Sequence, residues 1–65
     1  MSPLETYLER AAVCRREADE ATLENVRDRC LRAALAWDEM ANRLRQTETY
    51  RATEAARKAR QLASV

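Results

Sequence analysis

The chain has 65 residues, with 12 basic and 11 acidic side chains and a formal net charge of +1. That length permits one folding unit, in a size range where an isolated hydrophobic core is marginal. With no glycine and a single proline at position 3, the interior lacks helix breakers, and the composition favours helix throughout over a disulfide framework.

The 46% apolar content overstates the material for a core, because 13 of those residues are alanines. Seven Leu, three Val, two Met, two Tyr, one Trp and two Cys remain, and there is no Phe. So thin a core calls for a second copy or another partner. No uninterrupted apolar run could span a membrane, and the amino terminus lacks the pattern of a signal peptide. No membrane contact is expected, and with only two cysteines a reducing, cytoplasmic location is.

In chain order, Ser2-Pro3-Leu4-Glu5 opens a first helix: Ser2 caps, Pro3 takes the first helical position, and Glu5 is placed for a capping box. Leu4, Tyr7, Leu8, Ala11, Cys14, Ala18 and Ala21 then recur three and four apart, which is one face of an amphipathic helix. Thr22 marks the chain reversal and is expected to cap the next helix, with Glu24 favourably placed against its amino-terminal dipole.

The central stretch Leu23 to Leu44 is the most strongly patterned. Val26, Cys30, Ala33, Trp37, Met40 and Leu44 form one helical stripe. If the chain reverses at Thr22, positions in an antiparallel hairpin pair as Ala18 with Val26, Cys14 with Cys30, Ala11 with Ala33, Tyr7 with Trp37 and Leu4 with Met40. These ten residues are the expected hairpin core. A second stripe, Leu31, Ala34 and Leu35, lies beside the first and makes the apolar face broader than a two-helix contact needs.

Past Leu44 the stretch RQTETYRATE is poor in apolar bulk, and without Gly or Pro it is read as a continuation of the second helix. Ala52, Ala55, Ala56, Ala59, Leu62 and Ala63 follow as a shallow strip surrounded by Arg51, Arg57, Lys58 and Arg60. Charge is unevenly spread: residues 1–42 carry six basic and nine acidic side chains, residues 43–65 six and two. The body is weakly acidic and the tail basic.

Candidate chemistry is sparse. Cys14 and Cys30 are a candidate redox pair, or half of a thiolate metal site, if they face one another, and otherwise small packing residues. There is no histidine to activate a thiol, and Arg15, Arg16, Arg27 and Arg29 are expected to point away from the cysteine layer. Adjacent acids such as Asp38 and Glu39 diverge on a helix and form no acid-base pair. They are expected on solvated faces, with i,i+4 pairs Asp28 with Arg32, Glu39 with Arg43 and Glu54 with Lys58. No motif for phosphate, zinc or calcium occurs. No catalytic residue, metal site or cofactor is assigned.

The segment Ala11 to Ala18, A-x-x-C-R-R-x-A, followed by Trp37 to Ala41, W-x-x-M-A, resembles a group of short uncharacterised helical proteins of alphaproteobacteria. The resemblance covers about half the chain, stops before the threonine-rich segment, and implies a helical hairpin in a bacterial cytoplasm. It implies no activity and carries over no catalytic residue.

The expectation is therefore an all-α antiparallel hairpin, helices at about 3–21 and 23–44, the second continuing to about 63, in one unit spanning 1–65 with a basic extension at 45–65. Hairpins of this kind assemble into a helical bundle, with Leu31, Leu35, Leu44, Ala55, Ala59 and Leu62 as the expected oligomer interface and a dimer favoured. The function expected is a non-enzymatic interaction or regulatory module that binds itself and a protein partner. The alternative is a nucleic-acid-associated protein whose Arg51, Arg57, Lys58 and Arg60 touch phosphates.

Overall fold

Two helices joined by three residues make up the computed structural model, which describes residues 1–64; Val65, the last residue of the basic extension, lies outside the described residues. Helix α1 runs Pro3–Glu20 and helix α2 runs Glu24–Ala63. The chain is an all-α hairpin, and both helix boundaries at the bend fall within one residue of those expected.

Local chemistry sets the ends. Ser2 is extended at φ −77°, ψ 159°, and its Oγ accepts the Glu5 N–H at 3.2 Å, while Pro3 occupies the first turn. One otherwise unpaired donor of the helix start is thereby satisfied. At the other end Ala21 leaves the helix at φ −70°, ψ 133°, its N–H bonded to the Ala18 carbonyl.

Thr22 does not cap α2. The cap position falls on Leu23, whose carbonyl accepts the Arg27 N–H at 3.0 Å and whose side chain offers no acceptor. Thr22 stands one residue too early for its hydroxyl to act as cap. Instead, the Arg27 guanidinium reaches back to donate to the Ala21 carbonyl at 3.2 Å, tying the two helix ends together. Among the described residues no φ is positive, so this bend has no need of glycine.

The threonine-rich segment continues α2 without a break. With 40 residues against 18, α2 extends to about 60 Å and α1 to about 27 Å at 1.5 Å per residue. The principal extents are 64 × 20 × 11 Å and the radius of gyration is 18.2 Å, where a compact chain of this length has about 11 Å. The molecule is a hairpin whose longer arm projects past the shorter from residue 45 onward.

The hairpin closes on alanine. Among the described residues Ala11, Ala18, Ala34 and Ala41 are the buried ones, each at most 1% exposed, and no large side chain is fully buried. This corrects the expected core. Ala11 and Ala18 belong to it, but Leu4, Tyr7, Cys14, Val26, Cys30, Ala33, Trp37 and Met40 are all only half-buried. Two helices touch along one line, and methyl side chains let the axes approach closely there. Bulkier residues beside the line are covered on one side only. Helix α1 is centred on the Ala34 and Ala41 line of α2, with the expected Ala33 and Met40 at its edge.

Candidate interaction surface

The alanine seam divides the hairpin into two apolar flanks. On the first, Tyr7 and Cys14 of α1 border Val26, Cys30, Ala33, Trp37, Met40 and Leu44 of α2, all half-buried. The expected Tyr7 and Trp37 layer forms: their ring centroids are 5.9 Å apart with planes tilted by 32°, within the range of favourable aromatic pairs. Cys14 and Cys30 are both free thiols on this flank.

The second flank carries larger exposed groups. Leu8 is 38%, Leu31 43% and Leu35 61% exposed. Its position follows from the step of about 100° per residue, which turns Leu31 and Leu35 to the side of the seam opposite Met40. Arg15 and Asp38 mark the same side by pairing across the hairpin. Arg15 stands away from the cysteine layer; four residues after Ala11, it comes to the other edge of the seam, where the carboxylate of Asp38 takes it up. Both side chains are substantially exposed, at 49% and 31%, so this pair adds little stability.

Charge distinguishes the flanks. Glu5, Asp19, Glu24 and Asp28 are exposed and project on the Leu31 side together with Asp38. Arg10, Glu17 and Arg29 fall toward the Tyr7 and Trp37 side. The leucine flank is acidic, and the aromatic flank carries mixed charge.

Beyond Leu44 the strip Ala52, Ala55, Ala56, Ala59, Leu62 and Ala63 is exposed along its whole length, Leu62 at 78%. Ala52 and Ala59 follow Ala34 and Ala41 by eighteen residues, which at 3.6 per turn is five full turns. The tail thus presents, uncovered, the same small-residue line that α1 covers lower down. Arg51, Arg57, Lys58 and Arg60 are exposed around it. The Arg57 guanidinium pairs with Glu54 at 2.9 Å, in place of the expected Lys58. Among the described residues the expected pairs Asp28 with Arg32 and Glu39 with Arg43 are not formed, since long exposed side chains gain little by giving up their freedom.

Among the described residues there is no pocket, and no group of three or more His, Cys, Asp or Glu is placed to share a metal ion. No helix there is long and apolar enough to cross a membrane. Of the expected interface residues, Leu31, Leu35, Ala55, Ala59 and Leu62 are exposed and Leu44 is half-buried. Sequence reasoning placed Ala34 in the second stripe and passed over Ala41. The signal for both was their spacing of seven, matching Ala11 and Ala18 on α1. Comparison with family models, curated proteins and solved structures finds no match to this chain.

Proposed function

We propose that this chain is a non-enzymatic helical module that acts by self-association, as a dimer first, and by docking on a protein partner in a regulatory or scaffolding role in the cytoplasm. One observation carries the reading: among the described residues four alanines make up the buried core. Fully burying one Leu or Met side chain contributes about 1.5–3 kcal/mol, and the hairpin leaves Leu31, Leu35, Trp37 and Met40 short of that. Stacking hairpins into a bundle supplies the missing cover, as obligate interfaces resemble a domain core cut in half.

Kinship with the alphaproteobacterial group belongs to the same proposal. Ala11, Ala18 and Ala41 of the resembling segments are three of the four buried residues, so what such proteins would share is a way of closing a hairpin. The second reading, nucleic-acid association, is favoured by the exposed Arg51, Arg57, Lys58 and Arg60. Sedimentation equilibrium of the full chain tests the first. A mass of twice the 7.5 kDa chain at micromolar concentration is expected, and a folded, cooperative monomer at high micromolar concentration would refute it.

A further inference from the structure

We infer that the occupant of the acidic leucine flank is the basic tail of a second copy, each chain laying residues 45–63 along the other's hairpin. The inference rests on the self-association reading and adds which segments meet. Its first support is charge. The tail holds five cations and two carboxylates, whereas residues 1–42 hold six and nine. Tail against tail would place like charges together, and the aromatic flank, where Glu17 stands beside Arg10 and Arg29, offers the tail no net attraction. The leucine flank alone offers opposite charge beside exposed apolar surface.

Length is the second support. The midpoint of α2, between Glu24 and Ala63, falls beside Leu44, where α1 stops covering it. Two α2 helices crossing antiparallel at that point place each tail of about 28 Å along a hairpin whose short arm is about 27 Å long. Residues that meet then have numbers summing to about 87, the isologous arrangement of a two-fold dimer. Leu31 comes opposite Ala56, Leu35 opposite Ala52, and Asp28 opposite Arg60. Large side chains on the hairpin thus meet small ones on the tail, which is the complementarity a close helix contact requires.

The test is a charge exchange in the full chain, read as the dimer dissociation constant by sedimentation, with helicity checked by circular dichroism. Asp28→Arg and Arg60→Asp are both at exposed positions and leave the hairpin folded. Each alone breaks two symmetry-related contacts and replaces them by repulsion, and is expected to raise the dissociation constant about tenfold. Together they should restore it to within about twofold of the original. Single reversals without effect, or a double variant no better than the singles, would overturn the seating while leaving self-association intact. A parent chain that is monomeric throughout would remove both.

Discussion

Tyr7 and Trp37 stand thirty residues apart in the chain and 5.9 Å apart in ring centroids, closing the open end of the hairpin as the Arg27 contact to Ala21 closes the bend. Neither ring is fully buried, so their contact joins the two helices while part of each residue stays exposed. Trp37→Ala is expected to lower stability by about 2 kcal/mol, below the cost for a fully buried tryptophan. Urea denaturation followed by circular dichroism at fixed protein concentration measures it, and an unchanged midpoint would show that the aromatic layer does not hold the arms.

The seam gives the opposite kind of prediction. Ala41 is 1% exposed and has no room beside it, so Ala41→Leu adds apolar bulk and still destabilises, by about 1–3 kcal/mol. The same change at Ala36, which is exposed, should lie within about 0.5 kcal/mol of the parent. Thermal melts of the two variants side by side decide the matter; equal behaviour would mean that the helices do not close on this line.

The two thiols are predicted to be packing residues. Cys14→Ala should cost on the order of 1 kcal/mol, and oxidant should leave the melting curve where it was. Mass spectrometry of protein held at a cytosolic reducing potential is the check. A bond between Cys14 and Cys30 surviving there would make this flank a redox sensor instead.

For the tail, Arg57→Gln with Lys58→Gln should leave the assembled mass unchanged, because both lie off the face that carries Ala52, Ala56 and Arg60. Ala56→Asp with Ala59→Asp should dissociate the assembly by burying carboxylates in an apolar contact. Nucleic-acid binding makes the reverse forecast. Micromolar affinity for random duplex at about 0.15 M salt, lost in the glutamine variant and kept in the aspartate variant, would move the phosphate-binding reading to first place.

The helices were legible because their signals are local. Ser2 and Pro3 specify a start, the three-and-four spacing specifies the faces, and the lack of glycine or proline near Thr47 lets α2 run on. What the sequence left open was rotation. Ala33 and Ala34 are adjacent and identical, so pattern alone does not say which faces α1, and the choice depends on how closely two whole helices approach. The Arg15 and Asp38 pair follows from that rotation and was hidden with it. The cap at Leu23 was misread for a related reason: a bend held by an arginine from the next turn needs no capping hydroxyl, and its backbone angles are open to ordinary residues.

Those ordinary angles have a consequence for the life of the molecule in a crowded solution of its own copies. Ala21 and Leu23 differ from their helical neighbours chiefly in ψ, 133° at both, and no residue of the bend is sterically barred from the helical region. Rotating the bend into that region makes one rod from Pro3 to Ala63, about 90 Å long at 1.5 Å per residue. Its short arm can then fold onto another copy's long arm through the same four alanines it left. Trading arms between neighbours would then give up only the local contacts of the bend, chiefly the one from Arg27 to Ala21.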